Sequence, residues 1–533
     1  MINIPLLLVF IPVVAAIIIY IFKNRWMYFL AFAAQILVTV LAVAYTIHYW
    51  GDFESAMLFI GGWSEGDIGI SLRNDPLSIS FLFLSIFSWW MVLIYKFEPG
   101  KTDNTFLFFL MFLQGVFLGL LQTNDLFNLF VFLELTTIIV TILVAYQKVG
   151  SSIRAGVYYL LLNTAGALAF LVGVILLYNV FGTINIEVIR NNMAGMGEYN
   201  IIQLAFVLMM AAVTVKAALF PVFTWLPKAH GVAQSAISAL LSGMIVKAGI
   251  YLFIRLNQMF ALAEFGYQDF FFAIGVMTAV TGAVFAMMQT NIKLLLAYST
   301  LSQVGIIIIG LVSMETYHGG LLHVFNHALF KSLLFLGAGI IISVYRTKDI
   351  TKIRGLWRSM PVVSLLMIAG MLAISGAPFF NGYVSKAFIS TSLADSTVRY
   401  YTFFLINIGS TAAFIKLAQI FFGPKMLSYP MRHTAKMIPL FFIAAGCFAL
   451  GNFYVPIFDR FFGVDLSDIR AFSLSAFFDY FVTLAAAFAI VWFWVRKDGR
   501  IVRELRKVHI SFETANYMFV LYIVALGVVF VVW

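Results

Sequence analysis

The sequence predicts an all-α protein that crosses a membrane about sixteen times, and three observations carry that reading. Of its 533 residues, 63% are hydrophobic and only 11% charged, with a mean hydropathy of +1.00, whereas an ordinary soluble domain is about 25% charged. The apolar residues gather into sixteen stretches, each near the 20 or so residues that a helix needs to cross the hydrocarbon core. The basic residues between stretches concentrate in every second connection, as they do when successive connections lie on opposite faces. A water-soluble fold is excluded. The net charge of +10 does not indicate nucleic acid, because the basic residues fall in short connections and form no single patch.

In order, the stretches lie at 3–22, 27–49, 77–96, 105–122, 126–146, 155–180, 201–228, 231–256, 267–289, 294–314, 317–345, 361–393, 398–422, 437–457, 472–494 and 515–533. The first has no basic residue ahead of it and runs into Lys23 and Arg25, so it reads as an uncleaved span. If the connection after it is cytoplasmic, that side collects 22 Lys/Arg against 6 Asp/Glu, and the other side 6 against 15, beginning with Asp52, Glu54, Glu65, Asp67, Arg73 and Asp75. This asymmetry puts both termini on the extracytoplasmic side. The basic runs 346–358 and 496–507 read as orientation signals that meet lipid headgroups. The longest polar connections are an outer one at 50–76 and an inner one at 495–514, whose Arg500 to Lys507 segment has helix-forming composition and suits a helix along the membrane surface. There is no soluble domain.

Seven charged residues remain inside the stretches: Glu134, Lys216, Lys247, Lys331, Lys386, Lys416 and Asp479. An ionisable group in mid-membrane costs roughly 3 kcal/mol, so each is a functional candidate. Burial favours the neutral form of a lysine and a nearby carboxylate restores the ammonium; a Glu/Lys pair that opens and closes therefore takes up and releases a proton. Two spans carry helix breakers beside such a lysine. Pro221 and Pro227 follow Lys216, and Gly376-Ala377-Pro378 precedes Lys386. Broken helices are tolerated in a bilayer only where they are buried in protein or line a wet cavity. The two breaks lie five spans apart, the spacing of an inverted repeat. The expected division is 1–104 (spans 1–3), 105–256 (first repeat, spans 4–8), 267–422 (second repeat, spans 9–13) and 437–533 (spans 14–16).

His323, His327 and Lys331 recur at i, i+4 and i+8 on one helical face. Imidazoles titrate near neutrality, so this face suits a proton relay; the same spacing also fits a metal or haem site, or packed structural histidines. Asn163, Ser299, Ser302 and Gln303 are candidates to extend a wet path, although such residues also hold helices together. Cys447 is the single cysteine, which excludes a disulfide framework and a thiolate-held iron–sulfur cluster. No cofactor and no metal is expected. Gly62-Trp63-Ser64-Glu65-Gly66 matches a hydrolase pattern but lacks the flanking α/β sheet that makes a nucleophile elbow.

Several runs resemble the signature of the antiporter-like proton-translocating membrane subunits. They are Lys216 to Pro221, Trp225-Leu226-Pro227-Lys228-Ala229-His230, Ser238 to Gly243, Lys247 to Tyr251, Lys293 to Gln303, His323 to Phe335 and Gly376 to Lys386. That family includes the A and D subunits of Mrp-type cation/proton antiporters, the large membrane subunits of respiratory complex I and their hydrogenase counterparts. The resemblance implies fourteen core spans, here with two more at the C-terminal end, and an inverted repeat with broken spans 7 and 12. It also implies a mid-membrane proton line: Glu134 as regulating glutamate, Lys216 as protonatable lysine, Lys247 as linking lysine, His323 and His327 as relay, and Lys386 as terminal lysine; Lys331 joins the line from its place on the histidine face. His230, Lys293, Ser299, Gln303 and Lys416 become candidates for the uptake side and path. Phe223, Gln234 and Asn291 depart from the family pattern. Asp479 has no counterpart, and docking of a neighbouring subunit is the expectation for it.

The expected function is a proton-translocating subunit of a multisubunit cell-membrane complex, a Mrp-type antiporter exchanging protons for Na⁺ or K⁺. Its partners would be other integral membrane subunits and lipids. The alternative is an antiporter-like or structural subunit of a complex I-like or hydrogenase-type oxidoreductase.

Overall fold

The computed structural model describes the chain except residues 1–2, 52–56, 61–68, 99–101, 194–199, 262–265, 426–433, 465–472, 497–498, 509 and 533. The Gly62 to Gly66 pattern and Asp52, Glu54, Glu65 and Asp67 lie outside the described residues. The helices are α1 Ile4–Phe22, α2 Met27–His48, α3 Pro76–Lys96, α4 Asn104–Gln122, α5 Leu126–Ala145, α6 Gly150–Phe181, α7 Ile186–Asn192, α8 Asn200–Lys216, α9 Trp225–Val232, α10 Ser235–Leu240, α11 Val246–Phe260 and α12 Gln268–Met288. They continue as α13 Ile292–Leu311, α14 Tyr317–Tyr345, α15 Leu356–Ser359, α16 Pro361–Ser375, α17 Asn381–Ser392, α18 Thr397–Ala418, α19 Thr434–Asn452, α20 Tyr454–Phe462, α21 Leu474–Ile490, α22 Arg500–Lys507 and α23 Phe512–Gly527.

Among the described residues, fourteen helices are long and apolar enough to cross a membrane, with α10 and α11 joined through a π turn at Leu241–Ile245. The shorter apolar helices α8 and α16 are the first halves of the two predicted broken spans and complete the sixteen. The chain is a multi-pass membrane protein. Polar side chains set many of the helix starts. Asp75 caps α3 in a reciprocal box with Ser78, and Asp103 and Asp125 cap α4 and α5, each satisfying amides that would otherwise be orphaned.

The two breaks share a backbone signature. Each contains a non-glycine residue in the left-handed region, Ala218 (φ 57°) after α8 and Phe379 (φ 73°) before α17, a strained conformation that surrounding packing must hold. Only Pro221 of the two predicted breaker prolines lies in the first break. Pro227 occupies the first turn of α9, where proline is tolerated because no intrahelical amide is lost.

Two features differ from the sequence reading. The 50–76 connection contains a small antiparallel pair, β1 Met57–Phe59 with β2 Ser71–Arg73, too short for its alternation to show. Helix α22 forms as predicted in the 495–514 connection, but Val502 is buried in one cluster with Met287 and Met288 of α12, and Arg506 Nε donates to Met288 O (2.9 Å). Its apolar face is therefore spent on the protein.

The chain divides into two compact units. Unit 1 comprises Met1–Ala217, Val246–Tyr267 and Phe512–Trp533; unit 2 comprises Ala218–Ile245 and Gln268–Ser511. The chain leaves unit 1 at the α8 break and returns to it at the π turn, so Lys216 and Lys247 each sit within two residues of a crossing.

Candidate functional site

In unit 1 the candidate charges converge on α5. Lys216, the last residue of α8, donates to Leu133 O (3.1 Å) and Thr137 Oγ1 (2.5 Å). Thr137 in turn donates to Leu133 O (2.9 Å), its own i−4 carbonyl. Glu134 lies between these two partners. Its Oε2 accepts from Thr164 Oγ1 of α6 (3.1 Å), and its Oε1 is buried with no hydrogen-bond partner in the structure. Glu134 and Lys216 interact electrostatically without a direct ion pair. Tyr159 of α6 is fully buried beside Glu134 and Thr137. Lys247 is fully enclosed on α11. Gly249 brings that helix against the end of α8: a Cβ there would lie 2.4 Å from Ala217 N and 2.7 Å from the Lys216 carbonyl carbon, so only glycine permits the crossing. Asn163 of α6 points back, donating to Tyr159 O (3.0 Å).

In unit 2 the histidine face of α14 is built into a hydrogen-bond chain. His323 Nε2 meets Gln303 Oε1 (3.1 Å) and His323 Nδ1 meets Ser385 Oγ (2.8 Å). Gln303 Nε2 donates to Ser410 Oγ (2.8 Å), and Asn326 Nδ2 donates to Ser385 Oγ (3.1 Å) and Asn381 O (2.7 Å). His327 is buried next along the face, its ring 6.5 Å from that of His323. Lys331 donates to Leu296 O (3.0 Å) and Ser299 Oγ (2.5 Å) of α13. Ser302 is buried on α13 and its hydroxyl has no partner in the structure.

Lys386 follows the second break and reaches back across it, donating to Ile374 O (2.7 Å) in the last turn of α16, a carbonyl freed by the break. Gly382 lets α17 approach α16; a Cβ there would meet Ala373 O at 1.8 Å. Lys386 also lines a cavity of about 700 Å³.

The candidates for the uptake side separate into two groups. His230 is buried at the end of α9, stacked on Phe335 (centroids 4.6 Å, interplanar 10°). Two lysines flank it at backbone carbonyls: Lys293 donates to Ala233 O, and Lys348 to Gly231 O (2.8 Å). Burial lowers the proton affinity of Lys348 below the ordinary lysine value. Lys416 stands apart from this group. It donates to Met287 O and Gln289 O (2.7 and 2.8 Å) and so closes the C-terminal end of α12, where a cation is favoured by the helix dipole. Asn291, a departure from the family pattern, still caps α13 through Lys293 N (2.9 Å), as Asn does about as well as Asp.

Sequence reasoning missed Thr137, Tyr159, Thr164, Asn326, Ser385 and Ser410. The one readable signal was their position three or four residues, or one helix, from a buried charge. Lys216, Lys331 and His323 are buried groups that hold protons, each beside a hydroxyl able both to donate and to accept. Among the described residues no group of three or more His, Cys, Asp or Glu could hold a metal.

Several known proteins are similar to this chain. A putative antiporter subunit, mnhA2, of Staphylococcus epidermidis is 31% identical over 73% of this chain and 54% of its own length. The A subunit of the Na(+)/H(+) antiporter of Alkalihalophilus pseudofirmus is 33% identical over 62% of this chain and 44% of its own length. The chain thus spans about half the length of these relatives. A putative antiporter subunit, mnhD2, of Staphylococcus aureus is 28% identical over 79% of this chain and 85% of its own length. In fold the chain is similar to chains of two solved assemblies. One is the membrane-bound sulfane sulfur reductase, an archaeal respiratory complex (TM-score 0.79, 24% identity, 91% of this chain and 100% of that one). The other is the Mrp complex of Dietzia sp. (TM-score 0.77, 19% identity, 95% and 99%). Residues 123–416, more than half of the chain and containing every candidate in both units except Asp479, match the family described as NADH:quinone oxidoreductase/Mrp antiporter, TM, and the chain belongs to that family.

Proposed function

We propose that this chain is a proton-translocating subunit of a cation/proton antiporter of Mrp type in the cell membrane, with both termini outside the cytoplasm. Its partners are other integral membrane subunits, and the exchanged cation is Na⁺ or K⁺. The relatives named as antiporter A and D subunits support the assignment.

The observation that carries it is a recurring arrangement at three proton-holding groups. Lys216, Lys331 and His323 each touch a hydroxyl, Thr137, Ser299 and Ser385. Each hydroxyl also bonds a carbonyl three or four residues back, Leu133 O, Leu296 O and Gly382 O. A hydroxyl carries one hydrogen and two lone pairs. When the lysine or histidine is protonated, the hydroxyl accepts from it and donates to the carbonyl. When the proton leaves, the hydroxyl turns and donates to the vacated nitrogen. The nitrogen–hydroxyl hydrogen bond is kept in both states, so gaining or losing the proton does not leave the hydroxyl unsatisfied, which would cost about 1–3 kcal/mol. His323 fits the same scheme, with Nε2–H donating to Gln303 in both states.

Glu134 supplies control in unit 1. Its free Oε1 is one residue from the Leu133 carbonyl that holds Lys216, so a small swing of the ammonium exchanges neutral partners for a carboxylate and raises proton affinity. Uptake from the cytoplasm enters near His230 and release leaves near Lys386. The repeats 105–256 and 267–422 then each contribute one broken span.

The test is proton movement in membrane vesicles carrying the whole complex. Replacing Glu134, Lys216 or Lys386 with Ala abolishes cation-driven ΔpH while the complex still assembles; normal transport in all three ends the proposal. Co-purified flavin or iron–sulfur subunits would instead place the chain in an oxidoreductase.

A further inference from the structure

We infer that α21 completes a proton-release chamber on Lys386, with Asp479 as the carboxylate that accepts the proton leaving that lysine. This rests on the transport reading above and adds a residue outside the family match, which ends at 416.

The cavity of about 700 Å³ has Lys386 and Tyr383 of α17 in one wall, Asn407 of α18 in another, and Asp479 and Tyr480 of α21 in a third. At about 30 Å³ per molecule it has room for roughly twenty waters. Helix α21 is fastened to the break itself: Ser375 Oγ, at the end of α16, and Tyr480 OH are 3.0 Å apart. Asp479 interacts electrostatically with Tyr383, which is one helical turn from Lys386 and shares its face. The titratable groups lining the chamber are Lys386, Asp479, Tyr383, Tyr400 and Tyr480. Arg399, beside Tyr400, is engaged with Asp269 (2.5 Å). A phenol is a far weaker acid than a carboxylic acid, so Lys386 and Asp479 are the donor and acceptor of the pair. Lys386 itself is held on a neutral carbonyl, which can take no proton. In the step, Lys386 Nζ passes a proton to chamber water and becomes an amine. Water relays the proton to the Asp479 carboxylate, and the carboxylic acid then releases it to the outer solution.

The experiment uses vesicles carrying the intact complex, with cation-driven ΔpH as readout and azide as a small permeant weak acid. Asp479→Ala and Asp479→Asn lower the rate at least about tenfold, Asp479→Glu keeps it, and azide restores the Ala variant. A Lys386→Ala control stays inactive with azide. The isosteric Asn variant carries the azide test if the Ala variant does not assemble. A wild-type rate in Asp479→Asn, or an assembled Asp479 variant whose loss azide does not restore, overturns the inference and leaves subunit docking as the role of Asp479. Normal transport in Lys386→Ala would instead remove the underlying reading.

Discussion

Units 1 and 2 solve one problem, a lysine inside a membrane, with different second partners. In unit 1 Lys216 is packed at the end of a broken helix and has a carboxylate, Glu134, beside it. In unit 2 Lys331 has the same carbonyl-plus-hydroxyl cradle, the neighbouring chemistry is the imidazole of His323 bonded to Gln303 and Ser385, and Lys386 lines a cavity of about 700 Å³. In the proposed transport, the carboxylate a swing away is what would switch the first site, and the chain of neutral donors and acceptors is what would carry protons through the second. The cradle is common to both; the second partner sets the task.

The largest contrast lies in how the units use ion pairs. In unit 1 Asp75 takes both guanidinium nitrogens of Arg255, at 2.6 and 2.7 Å, with Arg255 Nε donating to Tyr251 OH (2.9 Å). Burial opposes ionisation of Asp75, and the Arg255 guanidinium overcomes it, holding the carboxyl well below the usual carboxylate range. In unit 2 Arg399 pairs with Asp269 at the surface, where Asp269 is 83% exposed. Asp75→Ala therefore strands a buried guanidinium and lowers stability by about 3–5 kcal/mol, while Asp269→Ala changes it by less than about 1 kcal/mol. Thermal unfolding in detergent measures both. Because the folded Asp75 binds its proton more weakly than the unfolded one, its contribution is full at neutral pH and disappears only in strong acid. Equal losses from the two substitutions would erase the contrast.

The shared cradle is broken by removing the hydroxyl and keeping the shape. Thr137→Val in unit 1 and Ser299→Ala in unit 2 each remove the hydroxyl that turns and keep the lysine's carbonyl partner, Leu133 O or Leu296 O. We expect roughly tenfold slower proton transport from either, the equivalent of about 1.4 kcal/mol, with assembly unchanged. Glu134→Gln separates the tasks: it keeps the Thr164 hydrogen bond and removes the switchable charge. A loss confined to Thr137→Val would show that unit 1 alone limits turnover.

These hydroxyls also mark where reading the sequence stops. Lys216, Lys386 and their breaks are legible because charge, proline and glycine inside an apolar run each cost free energy in a bilayer and persist where the fold uses them. Ser299 is legible only as a candidate for the path, and Thr137 and Ser385 not even as that, since serine and threonine bond back to their own helix wherever they occur in a span; their task appears only when a lysine or histidine from another helix arrives. Lys416 is a half-buried charge inside a stretch that closes a helix end. Asp479 could be seen as unusual, but its neighbours come from α17 and α18, some eighty residues away in sequence, and no local pattern reports them.

The smallest effects concern the C-terminal helices, which grip the two breaks in parallel. In unit 1 Thr214, two residues before Lys216, donates to Tyr522 OH of α23 (2.9 Å). In unit 2 the partner hydroxyls are Ser375 and Tyr480 of α21 (3.0 Å). Thr214 is fully buried and Tyr522 4% exposed, whereas Tyr480 is half-buried at the edge of the chamber. Thr214 and Ser375 each keep a second bond, to Met210 O and Leu372 O (both 3.0 Å), so replacing either tyrosine with Phe removes one hydrogen bond and strands nothing. We expect Tyr522→Phe to cost about 1 kcal/mol of stability and Tyr480→Phe about half that, because water in the chamber replaces the lost partner. Thermal unfolding of the two variants side by side measures the difference. If Tyr480→Phe slows proton release as well, its hydroxyl works with Asp479 and is more than a clasp.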